Sequence, residues 1–184
     1  MKNPTEPMSH KASVDEIVMR AIEPEDLDFL YTLENDREMW MVGETNVPYS
    51  RFTLNNYVMS TSSDIYADRQ LRLLIQKNDG KPVGLLDIFN FDPRHRRAEI
   101  GVAVVREERD RGYGHAALLR AIDYCHRIIH LHQVYALVDE SNKQSVSLFQ
   151  SAGFKTTCVI KDWVYDGEHY HDALMMNVFF EKNT

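Results

Sequence analysis

The stretch Glu108-Arg109-Asp110-Arg111-Gly112-Tyr113-Gly114-His115-Ala116-Ala117, ERDRGYGHAA, sets two arginines and two glycines at the mouth of a long amphipathic helix. From Gly112 the pattern predicts a helix to about His130. Leu118, Ile122, Cys125 and Ile129 form its apolar stripe, and Arg120, Asp123 and Arg127 face outward. The first turn of a helix leaves backbone N–H groups without intrahelical partners, and the helix dipole adds partial positive charge there. Glycine lacks the Cβ that would hold a ligand away, so phosphate oxygens can reach those donors. Arg109 and Arg111 offer charge-assisted hydrogen bonds to the same anion. The alternative for these residues is a glycine turn flanked by solvated arginines.

Two other phosphate motifs are tested against this stretch. A Walker loop requires Gly-Lys-Ser/Thr, which the sequence lacks. Gly112 to Ala117 does fit the dinucleotide fingerprint G-x-G-x-x-A, with Asp139 at the end of the next predicted strand. That fingerprint needs a tight turn directly off a strand, whereas six charged residues, Arg106 to Arg111, intervene here. Only 45 residues follow Asp139, too few for the remaining βαβ units.

Working outward, the 184 residues suit one domain, with 43% apolar and 27% charged residues as in ordinary globular chains. No window approaches the roughly 20 apolar residues of a membrane span, and the N-terminus lacks a signal-peptide run. The reading is a flexible tail over 1–13 and a single domain over 14–184. Cys125 and Cys158 each lie in apolar sequence, which suits a reducing, cytoplasmic setting. A net charge of −7 argues against a nucleic-acid surface. The charge is also segregated: ten acids and two arginines from Asp15 to Glu44, seven arginines and four acids from Arg94 to Arg120. Such a chain either has two solvated faces or handles an anionic and a cationic molecule together.

The predicted order is β-α-α-β-β-β-α-β-α-β-β. Strands cover Glu16–Ile22, Leu71–Gln76, Lys81–Phe91, Arg96–Val105, Val134–Val138, Phe154–Tyr165 and Glu168–Phe180. Helices open at Pro24, Arg51 and Gly112, and a capping-box-like Ser141-Asn142-Lys143-Gln144 starts a short helix ended by Gly153. The segment from Asp36 to Pro48 reads as irregular.

Arg109-x-x-Gly112-x-Gly114 has the form R/Q-x-x-G-x-G/A and resembles the acetyl-CoA signature of the GNAT superfamily of N-acetyltransferases. The element order, RRAEIGVAV, VYALVDESNKQSVSLFQSAGF and the Tyr165-Asp166-Gly167 hairpin extend the resemblance over residues 16 to 180, nearest the spermidine and ribosomal-protein acetyltransferase branch. The resemblance implies an α/β (α+β) fold. One mixed, mostly antiparallel sheet of about seven strands carries about four helices, and a splayed parallel pair forms the acetyl-CoA cleft. It implies pyrophosphate on the N–H groups from Arg111 through Gly112, Tyr113, Gly114 and His115 to Ala116, and pantetheine beside the strand ending at Val105. It also implies a thioester carbonyl polarised near Val102 to Val104, and Asn142 reaching the cofactor.

Acetyl transfer to an amine requires removal of one proton from the ammonium form. Glu99, which matches the glutamate of similar spermidine enzymes, is the candidate base; its alternative is an ion pair with Arg96 or Arg97. Asp87 is a second candidate, for base or substrate contact. The resemblance places the usual acid, a tyrosine, where this chain has Phe149, which can only pack against the cofactor. Tyr135 is the candidate acid or a core tyrosine, and water can protonate the thiolate instead. Glu38 and Glu44, with Glu34 and Asp36, are candidates to bind a polycationic amine or simply to solvate a face. No metal is expected, and Cys125 reads as core. The reaction expected is acetyl transfer to a small amine, with spermidine-like polyamines leading. Acetylation of a protein N-terminus and a weakly catalytic CoA-binding regulator are the alternatives. The apolar final strand leaves open a homo-oligomer or a completed core.

Overall fold

The structure, a computed structural model, describes residues 12–40, 47–62 and 64–181. Strand β1 (Ile17–Ala21) leads through a 3₁₀ turn into α1 (Leu27–Glu34), a single turn α2 (Arg37–Trp40), α3 (Arg51–Ser60) and a second single turn α4 (Ile65–Asp68). The hairpin β2 (Leu71–Lys77) and β3 (Pro82–Asp92) turns at Gly80, whose φ of 90° suits glycine. Next come β4 (Arg97–Val104), α5 (Tyr113–Arg127), β5 (Gln133–Asp139), α6 (Lys143–Ser151), β6 (Lys155–Tyr165) and β7 (Tyr170–Phe179). The strands form one sheet in the order β1-β2-β3-β4-β5-β7-β6, antiparallel throughout except for β4 beside β5. The expected sheet and its parallel pair are therefore present.

Two apolar layers fix the helices. Leu86, Ile88, Ile100, Val134 and Ala136 bury one face of the sheet against Leu118, Ala121 and Cys125 of α5 and Phe149 of α6. The opposite face buries Leu74 and Leu85 against Leu30 and Leu33 of α1 and Leu54 of α3. No described helix is long and apolar enough to cross a membrane.

Local chemistry moves several expected boundaries. Ala12 is buried and donates its N–H to Arg111 O at 2.6 Å, so the tail expected over 1–13 stops short of it; residues 1–11 lie outside the described residues. Arg120, expected in solvent, is half-buried and donates Nε to Val14 O at 2.9 Å. Asn142, rather than Ser141, caps α6: its Oδ1 accepts the Ser145 N–H at 3.0 Å. Helix α5 ends at Arg127, three residues before His130.

The entry to α1 is held by charge. Asp26 accepts the Glu23 N–H at 2.9 Å and two guanidinium bonds from Arg20 at 2.6 and 2.8 Å. Arg20 holds the Asp26 carboxyl below the usual carboxylate range. Its stabilisation is present above the unfolded-state value and lost as pH falls through the lower folded one. Asp26→Asn is expected to cost about 1–2 kcal/mol at neutral pH and to flatten the acid side of the stability curve, read by urea unfolding against pH.

Candidate active site

Strands β4 and β5 pair at only three positions, Arg97 with Gln133, Ala98 with Val134 and Glu99 with Tyr135. Beyond Glu99 they part, and Ile100 to Val104 and Ala136 to Asp139 line opposite walls of a cleft of about 1190 Å³. That exceeds the roughly 300–1,000 Å³ of single-ligand pockets and leaves room for two reactants. The Val105 N–H bonds Val83 O at 2.9 Å on the β3 side. Strand alternation therefore turns the peptide groups of Val102 and Val104 the other way, into the gap.

The glycine-arginine stretch stands at the wide end of this gap. Gly112 takes φ 87° as the residue before α5, and Asp110 takes φ 60°. The first helical bond runs from the Ala116 N–H to Gly112 O at 3.0 Å. The amides of Tyr113, Gly114 and His115 precede it and take no part in the helix ladder, whereas Ala116, expected among the donors, spends its amide there. A Cβ at Gly114 would lie 3.3 Å from Leu148 Cδ2 and 3.6 Å from Val104 Cγ2, so glycine also lets α5 seat against α6 and β4. A row of amides on a cleft wall with no Cβ in the way fits a diphosphate.

The guanidiniums do not point where the sequence reading sends them. Arg109 donates Nε to Val104 O at 3.1 Å and Nη1 to Glu38 Oε2 at 3.0 Å. Arg106 takes the other oxygen of Glu38 at 2.9 Å. Arg111 pairs at 3.1 Å with buried Glu108, which Lys81 also holds at 2.7 Å. The open donors at this corner are thus amides, while the arginines are engaged by the carboxylates of Glu38 and Glu108. Asp110, another cleft-lining residue, accepts from Gln144 Nε2 at 3.1 Å. Asp110→Gly removes a negative charge beside the amide row and suits the left-handed backbone. Acetyl-CoA is expected to bind that variant about fivefold more tightly, roughly 1 kcal/mol, by titration calorimetry.

Asp87, Phe89 and Glu99 line the cleft at the α1–α3 side. Asp87 is held by Arg72, Nε to Oδ1 at 2.6 Å and Nη2 to Oδ2 at 3.0 Å, and Arg72 also reaches Glu34 at 2.6 Å. Against the cost of desolvation, the two carboxylates keep the half-buried Arg72 guanidinium charged. Glu99 is buried, and Arg96 and Arg97, its expected ion-pair partners, are engaged by other groups. Asn90 Nδ2 donates to Glu99 Oε2 at 2.9 Å, Arg96 turns to His130 O at 2.7 Å, and Arg97 lies 3.5 Å from Asp92. Tyr135 lies opposite Glu99 on β5; burial first, then the charge of Glu99, raises its pKa. Glu44 lies outside the described residues.

Phe149 is buried edge-on against Phe154, ring centroids 5.0 Å apart, at the base of the cleft. Burial pushes the Cys125 thiol up to about 12, which removes it as a nucleophile at neutral pH. Sequence reading missed Arg72, Tyr57, Asn90 and Trp163. A lone arginine in LRLLIQ is a legible signal, since a charge amid apolar residues needs a buried partner. Trp163 lines the cleft from a strand irregularity between Ile160 and Val164 that composition does not announce.

A family model described as an acetyltransferase (GNAT) domain matches residues 16–155. The spermidine N(1)-acetyltransferase of Escherichia coli (strain K12) is 25% identical over 174 residues, 91% of this chain and 88% of that one. The putative ribosomal N-acetyltransferase YdaF of Bacillus subtilis (strain 168) is 26% identical, covering 87% and 89%. The crystal structure of Vibrio cholerae spermidine N-acetyltransferase in complex with CoA and spermine matches with a TM-score of 0.81 at 23% identity, over 90% of this chain and 96% of that one. The same enzyme has a dodecameric structure that matches at a TM-score of 0.76 and 24% identity. The open cleft edge, the amide row and the sequence match agree: this chain belongs to the GNAT acetyltransferase family and uses acetyl-CoA as its acetyl donor.

Proposed function

We propose that the protein acetylates a primary amine of a small polycation, with a spermidine-like polyamine as acceptor. The observation that carries this is the position of Glu99 at the vertex of the splay, on a wall that also presents Glu34, Glu38 and Asp87. The polyamine-acetylating relatives support the choice. Acetyl-CoA supplies an acyl carbon with a thiolate leaving group. The amides of Tyr113, Gly114 and His115 hold its diphosphate, and Asn142 Nδ2, whose Oδ1 is spent on the α6 cap, faces the same cleft. The peptide groups of Val102 and Val104 orient the thioester and polarise its carbonyl.

Glu99 takes the ammonium proton, so that the neutral amine attacks the acyl carbon as the C–S bond breaks. Phe149 walls the cleft and gives no proton. Burial and the nearby charge of Glu99 raise the pKa of Tyr135 and make it a poor acid, so water protonates the departing sulfur. Glu38 is the acceptor contact that must first be shared with Arg106 and Arg109.

The half-buried guanidinium of Arg72, which lines the cleft, favours a second reading, an α-amine that carries its own carbonyl, as at a peptide N-terminus. Thiol release from acetyl-CoA across spermidine, a monoamine and short peptides separates the two. Turnover with spermidine above the monoamine and peptides supports the polyamine reading. Turnover confined to peptides overturns it, and donor binding without turnover identifies a regulatory module. Self-association belongs to the same reading: Val159 and Phe179 are exposed on the closing hairpin, and sedimentation is expected to show more than a monomer.

A further inference from the structure

Strict alternation along β3 puts Phe89 on the face of its partner Glu99 and would send Asn90 to the opposite face, toward the layer under α5. The register instead slips between Phe89 and Asp92, and Asn90 takes φ 49°. Such a bulge inserts one residue and re-aims its side chain. Asparagine is among the few side chains that accept this left-handed backbone. The result is the 2.9 Å bond from Asn90 Nδ2 to Glu99 Oε2, made from one flanking strand while Tyr135 approaches from the other.

We infer that Asn90 is a positioning residue for acetyl transfer, set by the bulge to hold the Glu99 carboxylate at the cleft vertex. The inference rests on Glu99 being the base. Asn90 is a neutral donor, which fixes the direction of a carboxylate with less loss of basicity than a guanidinium. Asp87 shows the contrast, since two guanidinium bonds from Arg72 tie it down. Among the described residues, Tyr135 stands opposite Glu99 on β5, Asp87 lines the same cleft from β3, and Asp92 on β3 and Arg97 on β4, set against each other at 3.5 Å, act on Tyr135 together with Glu99.

The test uses the full chain with acetyl-CoA and spermidine, following thiol release against pH. Asn90→Gly is the informative variant, because glycine accepts φ 49° and removes the side chain without straining the backbone. It is expected to lower kcat about ten- to a hundredfold with little change in KM for acetyl-CoA. It should also move the acid limb of kcat/KM to higher pH, since the lost bond favoured the carboxylate. Asn90→Asp, which sets a second carboxylate against Glu99, should move that limb further. A limb that disappears in Glu99→Gln but stays in place in Asn90→Gly overturns the role of Asn90 and leaves the base assignment standing. A limb unchanged in Glu99→Gln overturns the base assignment and the positioning role with it. A readout that needs no turnover is the ¹³C titration of the Glu99 carboxyl, expected to midpoint higher in Asn90→Gly; an unmoved midpoint counts against the inference.

Discussion

Glu99→Gln lowers kcat/KM for amine acetylation by about 10²–10⁴-fold, the range for loss of a general base. Glutamine keeps the size of the side chain and the carbonyl that can accept from Asn90, but it cannot take a proton. The amides of Tyr113 to His115, proposed to hold acetyl-CoA, lie at the far end of β4, so donor affinity measured by calorimetry is expected to stay close to that of the unmodified protein. The residual rate should rise steeply with pH, because the free amine fraction then depends on bulk deprotonation alone. A variant with an unaltered profile would show that another group, or a water chain, removes the proton.

Gly84→Ala is the second large effect, and it acts through the scaffold. Gly84 lies on β3 opposite Val104, and a Cβ there would stand 2.2 Å from the carbonyl oxygen of Ala103 and 3.1 Å from Val104 Cα. Both are backbone atoms, so the strands must separate, which breaks the 2.9 Å bond from the Val105 N–H to Val83 O. The expected cost is about 3 kcal/mol or more, a fall in Tm of roughly 6–12 °C by differential scanning calorimetry. Gly101→Ala is the control: its Cβ would meet only a Phe89 ring carbon at 3.4 Å, and stability should change by less than about 1 kcal/mol. The same displacement in Gly84→Ala moves the peptide groups of Val102 and Val104, so donor binding should weaken as well.

The sheet was legible in the sequence because its strands are marked by alternation and by glycine turns at Gly80 and Gly167, both at positive φ. The glycine-opened start of α5 was legible for the same local reason, since it is a short-range signal. Partners distant in sequence were not legible. Nothing in the stretch around Arg109 announces that Glu38, 71 residues earlier, would claim its guanidinium. Asn90 escaped because alternation is the rule used to read strands, and a bulge is a local exception to it. The capping role fell to Asn142 rather than Ser141 because Asp139 Oδ1 takes the Ser141 N–H at 2.8 Å and turns that residue out of the cap position.

The three-pair seam between β4 and β5 has a mechanical corollary. The two halves of the sheet, four strands and three, are stitched at one end and hang apart at the other, like a zip stopped part-way. A thioester arm carrying its own amides can dock along the bare rim of β4 much as a missing neighbour strand would. On the proposed reading the donor is a keystone as well as a reagent, bridging the two halves of the sheet for as long as it is bound.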